Sequence, residues 1–142
     1  MGDEVLEFAQ AIGAKDLKSL FDYSEFHGLF KRRNYFLLDK DKFLIVKISR
    51  SKIRPFYGLG KDFFDLFNTL TAKNGHYYFV ALDCNKSGWV LSKTQIMNQI
   101  ADGSLSYSED QRQYKFNNYN LKHQHSFASI EGFLKKIQVS KS

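Results

Sequence analysis

The sequence predicts an α/β domain, of the α+β kind, in which a mixed central β-sheet is flanked by helices. Three observations predict this fold class. Apolar residues recur at helical spacing in four segments, short apolar runs bounded by turn residues indicate strands, and the two kinds of segment alternate along the chain. A length of 142 residues fits one domain that covers residues 1–142.

The first thirty residues are predicted to be helical. Val5, Phe8 and Ile12 recur at helical spacing, and Gly13 ends this first piece. The apolar residues of 17–21 then resume the helical pattern. The domain is therefore expected to begin with helical structure that continues beyond Gly13.

A β-hairpin is predicted directly after this segment. Residues 35–38 and 43–48 are short apolar runs, and the charged tetrapeptide from Asp39 to Lys42 separates them. Two such runs around a polar turn are typical of a hairpin whose strands are largely buried.

The rest of the chain is predicted to alternate helices and strands. Gly58 and Gly60 indicate a loop before a helix. Ser92 and Gln95 form a capping-box pattern, in which the serine caps a helix and the glutamine reaches back to it. The predicted elements are a helix at 62–73, strands at 76–83 and 88–91, a helix at 92–102, a strand at 113–117 and a helix at 129–137.

Composition excludes several classes of protein. Hydrophobic residues make up 43% of the chain and aromatic residues 16%, which predicts a folded core. Apolar runs such as 43–46 are too short to cross a membrane, and the acidic start does not resemble a secretory signal. The single cysteine, Cys84, excludes an internal disulfide and a multi-cysteine zinc site. We therefore expect a cytoplasmic protein.

Positive charge is concentrated in one segment. The chain carries a net charge of +6, whereas the segment from Lys31 to Lys61 carries ten basic residues against two acidic ones, a local net charge of +8. Such a concentration is expected of a protein that binds a polyanion, because cations that neutralise phosphates release counterions. The alternative is a solvated basic face without a partner.

Lys47 is the charged residue of the second hairpin strand. Strand side chains alternate between two faces, so Lys47 shares a face with Phe43 and Ile45. A lysine in such a run is expensive to bury unless it is paired. Either Lys47 reaches water where the strand emerges, or it lies at an active-site edge, where it positions a water molecule and stabilises charge on a phosphate.

The segment after Lys47 mixes cations, hydroxyls, aromatics and glycines. Arginine and lysine neutralise phosphates, while serine hydroxyls and glycine amides hydrogen-bond to them, and arginine can also contact guanine edges. Gly58 and Gly60, before a helix N-terminus, predict a phosphate seat; the alternative is an ordinary exposed loop. The predicted nucleic-acid-binding residues are Lys31, Arg32, Arg33, Ser49, Arg50, Ser51, Lys52, Arg54 and Lys61.

The order of these features resembles the PD-(D/E)XK nuclease superfamily, to which many restriction enzymes and some intron-encoded homing endonucleases belong. The features are an N-terminal helix with a glutamate, a hairpin whose second strand carries Val46-Lys47, a basic loop, a helix and another strand. The resemblance implies a restriction-endonuclease-like core. It also implies hydrolysis of phosphodiester bonds in double-stranded DNA, with Mg²⁺ or Mn²⁺ as cofactor.

The resemblance assigns roles to two residues. It implies that Lys47 is catalytic, and that Glu7, or else Glu4, is the helical glutamate, catalytic and metal-binding. Two residues before the lysine, where the family has an acid, this chain has Ile45, and the acid expected at 32–34 is replaced by Arg32-Arg33-Asn34. The further metal ligands would come from elsewhere, or the site is degenerate. The candidates are Asp22, Glu25 and Asp62.

Three functions follow from these patterns. The first is a metal-dependent DNA endonuclease, expected as a homodimer or homotetramer because a double-strand cut needs two active sites. The second is a non-catalytic nucleic-acid-binding module on the same fold, and the third an adaptor whose basic face meets an acidic protein. His123 and His125 are expected in a surface loop rather than as metal ligands, and Cys84 as a packed thiol.

Overall fold

A six-stranded mixed β-sheet lies at the centre of the protein, and a three-stranded sheet packs beside it. The α+β fold class predicted from the sequence is confirmed. The computed structural model of the protein describes residues 4–17, 35–39, 41–48, 57–71, 76–117 and 120–137.

Four helices and nine strands are formed by these described residues, with a short 3₁₀ helix at His123–His125. In chain order they are α1 (Glu4–Ile12), β1 (Lys15–Asp16), β2 (Tyr35–Leu38), β3 (Lys42–Ile48), β4 (Tyr57–Gly60), α2 (Lys61–Leu70), β5 (His76–Cys84), β6 (Ser87–Ser92), α3 (Lys93–Ala101), β7 (Ser106–Ser108), β8 (Gln113–Phe116), β9 (Ser126–Phe127) and α4 (Ile130–Ile137).

The large sheet has the strand order β1-β2-β3-β5-β6-β9. Strands β3 and β5 are parallel, with Lys47 opposite Ala81, whereas the other neighbouring pairs are antiparallel. A parallel pair needs a long crossover connection, and the segment between β3 and β5 contains β4 and α2. The small sheet has the order β4-β8-β7 and is antiparallel.

Alternation along β3 divides the core into two clusters, one on each face of the large sheet. Phe43 and Ile45 lie in the cluster that α2 and the small sheet complete, for example with Phe67. Leu44 and Val46 lie in the other cluster, which α1 and α4 cover. The near-continuous apolar run in β3 follows from this burial on both faces.

Three predicted elements are confirmed closely. Strands β2 and β3 form the expected antiparallel hairpin, with Leu38 opposite Lys42. Helix α3 begins with the expected capping box, in which the Gln95 amide donates to Ser92 Oγ (3.2 Å) and the Ser92 amide donates to Gln95 Oε1 (2.8 Å). Helix α4 occupies Ile130–Ile137, within one residue of the predicted range.

Two local predictions are wrong. The first thirty residues are not helical throughout, because Lys15–Asp16 pairs with β2; the predicted helical structure over 18–30 lies outside the described residues. The loop predicted at Gly58–Gly60 belongs to strand β4, in which Tyr57 and Leu59 are buried. Its pairing with β8 is a long-range contact, and a short glycine-containing sequence does not reveal such a contact.

We expect the Ser92→Ala variant to lower the free energy of unfolding by about 1 kcal/mol, because it removes the side-chain cap of α3. Thr94→Ala is the matched control, since Thr94 is exposed in the same helical turn, and it should change stability by less than about 0.5 kcal/mol. Urea unfolding measures both. Equal midpoints for the two variants would contradict a stabilising role of the capping box.

Candidate nucleic-acid interface

The hairpin register connects two basic segments to one edge of the large sheet. Tyr35 begins β2 and lies opposite Ile45, close to the end of β3 at Ile48. The chain therefore enters β2 and leaves β3 at the same edge, which we call the open end of the hairpin. One residue, Asn34, separates the segment 31–33 from β2, and the segment 49–54 begins directly after β3.

These two segments contain all the predicted nucleic-acid-binding residues except Lys61. The segments themselves lie outside the described residues, so the hairpin determines only where each is attached. The residues concerned are Lys31, Arg32, Arg33, Ser49, Arg50, Ser51, Lys52 and Arg54.

Charge differs between the two ends of the hairpin. At the turn, Lys42 Nζ lies 3.3 Å from Asp41 Oδ1 and 3.8 Å from Asp39 Oδ2, and the tetrapeptide 39–42 is electrically neutral. The sequence from Lys42 to Lys61 contains no acidic residue. Eight basic residues remain in the segment from Lys31 to Lys61 once the neutral tetrapeptide is set aside. One is Lys61, and the other seven are Lys47 and the basic residues of the two attached segments: Lys31, Arg32, Arg33, Arg50, Lys52 and Arg54.

Lys47 lies at the open end and is half-buried. Its Nζ is 5.9 Å from the centre of the Tyr35 ring, within the distance at which a cation is attracted to an aromatic face. The aromatic contact offsets part of the cost of partial burial. The ammonium group is thereby held at the edge where the two basic segments meet the sheet.

Glu7 and Lys47 lie on opposite sides of the large sheet. Helix α1 packs on the cluster that contains Leu44 and Val46. Because strand side chains alternate, the Lys47 side chain lies on the other face of β3. Glu7 is exposed, and its Oε1 accepts a hydrogen bond from Asn85 Nδ2 at 3.0 Å. The structure therefore does not bring the two predicted catalytic residues together on one face.

The predicted ligands do not fit a Mg²⁺ or Mn²⁺ site within the described part of the chain. Ile45, at the position where the resembled family has an acid, is fully buried. Asp62 is at the start of α2, 3.8 Å from an Arg112 nitrogen, while Asp22 and Glu25 lie outside the described residues. Across residues 4–17, 35–39, 41–48, 57–71, 76–117 and 120–137, no three His, Cys, Asp or Glu side chains are grouped so as to hold an ion.

Asp83 is an acidic residue at this edge that the sequence analysis did not single out. Because β3 and β5 are parallel, their carboxyl ends lie at the same edge of the sheet, and Asp83 is exposed near the end of β5. The Ser87 hydroxyl donates to Asp83 Oδ1 and lies 3.1 Å from the Cys84 thiol. In the sequence, Asp83 is visible as a polar residue directly after the apolar run of β5. Its location near Lys47 becomes clear only from the parallel pairing of β3 and β5.

Lys61 and the adjoining glycines, the predicted phosphate seat, already make other contacts. Lys61 Nζ lies 2.7 Å from Asp65 Oδ2, a hydrogen-bonded ion pair that raises the pKa of Lys61. The Lys61 amide donates to the Arg112 carbonyl at 2.9 Å, and the Gln113 side chain occupies the space beside Gly58. The exposed loop on which the phosphate-seat prediction rested is therefore absent, because strand pairing with β8 takes up this segment; phosphate contact by Lys61 stays a prediction.

The histidine prediction is confirmed for one residue and wrong for the other. His123 is exposed, whereas His125 is only 3% exposed and lies in the short 3₁₀ helix. Burial, together with the nearby charges of Lys122 and Lys136, lowers the pKa of His125. His125 is therefore neutral at pH 7.

Comparison with protein-family models, with curated proteins and with solved structures finds no match for this chain. Among the described residues, no helix combines the length and apolarity that a membrane crossing requires.

We expect the Ile45→Asp variant to lose more than about 4 kcal/mol of folding free energy, because it buries an unpaired carboxylate in the core. Ile45→Val is the control and should cost about 0.5–1.5 kcal/mol. Chemical denaturation followed by circular dichroism measures both. A stably folded Ile45→Asp protein would show that position 45 can carry the acid that the resembled family has there.

Proposed function

We propose that this protein binds nucleic acid, with double-stranded DNA as its partner, at the open end of the β2–β3 hairpin. One observation carries the proposal: the register that places Tyr35 opposite Ile45 attaches the segments 31–33 and 49–54 to the same edge. The proposal is supported by the neutral charge at the other end of the hairpin.

The chemistry of the open end suits a phosphate backbone. Arginine and lysine side chains neutralise phosphates, and each neutralised phosphate releases condensed counterions. Ser49 and Ser51 add hydroxyl donors next to the cations. Lys47, held beside the Tyr35 ring, adds a positive charge with restricted freedom, so less side-chain entropy is lost when a phosphate binds.

Cleavage of the bound DNA, the activity that the family resemblance implies, stays a prediction. The opposite locations of Glu7 and Lys47 favour binding over hydrolysis as the primary proposal. A homodimer or homotetramer, which a double-strand cut would require, also stays a prediction. We place the binding in the cytoplasm, since reducing conditions keep the free thiol of Cys84 intact.

We expect the triple variant Arg50→Gln/Lys52→Gln/Arg54→Gln to bind a short DNA duplex more weakly and with a smaller salt dependence. Each lost phosphate contact lowers the slope of log K against log salt by about 0.9. Fluorescence anisotropy between about 50 and 200 mM salt measures that slope.

The matched control is Lys15→Gln/Lys122→Gln/Lys135→Gln, which removes the same charge from exposed sites on other elements. The control should keep the salt slope of the unmodified protein, because none of the three lysines belongs to β2, β3 or the two basic segments attached to them. Equal losses in both triple variants would show that net charge, rather than the open end, determines binding. Affinity that is independent of salt would contradict phosphate contacts altogether.

Incubation of the protein with plasmid DNA and Mg²⁺ or Mn²⁺ tests the predicted cleavage separately. Nicking or linearisation that Lys47→Ala abolishes would make the protein a metal-dependent endonuclease. Intact plasmid under conditions where the duplex is bound would leave a binding module without hydrolytic activity.

A further inference from the structure

A cavity of about 330 Å³ opens on the side of the large sheet that α1 and α4 cover. It lies between strands β5 and β6, the start of α3, the 3₁₀ helix and the end of α4. Its size is at the lower limit of cavities that hold small molecules. Tyr78 forms part of its wall from β5, where this residue pairs with Ser92 of β6.

The cavity and the open end of the hairpin are separate surfaces. Tyr78 lies near the start of β5, whereas Lys47 is paired near the end of β5 at Ala81. Tyr78 also packs with the cluster of Leu44 and Val46, on the opposite face of the sheet from Lys47. A ligand in the cavity is therefore independent of the nucleic acid proposed above.

One cation and no carboxylate line the cavity among the described residues. Lys136 Nζ donates one hydrogen bond to the Gln124 carbonyl at 2.8 Å, which leaves further donor capacity on its ammonium group. The described residues give Lys136 no ion pair within 4.0 Å. Burial raises the pKa of Tyr78, and the charge of the Asp41 carboxylate adds to this effect. Asp41 does not line the cavity, and its carboxylate is paired with Lys42.

A buried histidine completes the polar wall. His125 lines the cavity and is 3% exposed, and its Nδ1 has no hydrogen-bond partner among the described residues. A neutral imidazole carries one donor and one acceptor nitrogen. Buried polar groups are normally hydrogen-bonded, and the unpartnered Nδ1 atom is itself buried, so His125 is assigned to the cavity by its position in the wall and not by this nitrogen.

The remaining lining is mixed, with more polar than apolar residues. The Gln95 side chain adds an amide: its oxygen accepts from the Ser92 backbone, and its nitrogen remains a donor. Ile137 and Val90 supply apolar surface on the same wall. The donors of Lys136 and Gln95, the positive charge of Lys136 and the absence of a lining carboxylate suit an anion. The side chains of Val90 and Ile137 suit a compact apolar group on that anion.

We propose that this cavity binds a small organic oxyanion, a carboxylate or a phosphate ester attached to a compact apolar group, with Lys136 as its counter-ion and His125 in its wall. Benzoate and phenyl phosphate are suitable probes for the two anion types, and benzamide is the neutral control of nearly equal shape. Isothermal titration calorimetry measures affinity, and the imidazole nitrogen resonances of His125 report location.

We expect benzoate or phenyl phosphate, or both, to bind and to shift the His125 resonances, while benzamide binds more weakly. Lys136→Gln should weaken binding about threefold to fivefold, the effect of removing one exposed charge partner. Lys135→Gln, one residue earlier on α4 and outside the cavity, is the matched control and should change affinity less than twofold. The Arg50→Gln/Lys52→Gln/Arg54→Gln protein should bind the probes unchanged.

Four results would overturn the proposal. Two concern the location of the site: the absence of binding by both anions up to tens of millimolar, and binding that leaves the His125 resonances in place. The other two would show that the cavity does not recognise the charge: an equal affinity for benzamide, and an equal loss in Lys135→Gln and Lys136→Gln. Loss of probe binding in the Arg50, Lys52 and Arg54 variant would assign the anion to the open end instead.

Discussion

The pairing of β3 with β2 on one side and β5 on the other is the constraint on which the rest of the structure depends. The antiparallel β2–β3 register connects the basic segments to one edge of the sheet. The parallel β3–β5 register places the end of β5, with Asp83, at that same edge. Since strand side chains alternate, these two registers also decide which residues of β3 enter which half of the core.

This alternation limits the chemistry available at the open end. Ile45 and Lys47 are two residues apart, so their side chains lie on the same face of β3. Ile45 is fully buried in the cluster with α2, whereas Lys47 reaches the edge beside Tyr35. An acid at position 45 would have to lie in the core, and Glu7 approaches the sheet from the opposite side. Cation-based binding fits these locations better than a shared metal ion does.

Features that depend on neighbouring residues could be predicted from the sequence. The hairpin, the capping box of Ser92 and Gln95, and the C-terminal helix are all encoded within a few consecutive residues. Strand β4 and the parallel β3–β5 pair depend on partners far along the chain. The Gly58–Gly60 prediction was wrong for that reason, and Asp83 was missed because its edge is defined only by the parallel pair. The burial of His125 likewise depends on the packing of its 3₁₀ helix against β6.

The most direct test of the central claim is a measurement of where bound DNA lies along the hairpin. A duplex carrying a spin label near its middle broadens the NMR signals of backbone amides close to it. We predict strong broadening for Tyr35 and Lys47, at the open end, and little for Leu38 and Lys42, at the turn. Stronger broadening at Leu38 and Lys42 than at Tyr35 and Lys47 would contradict the account.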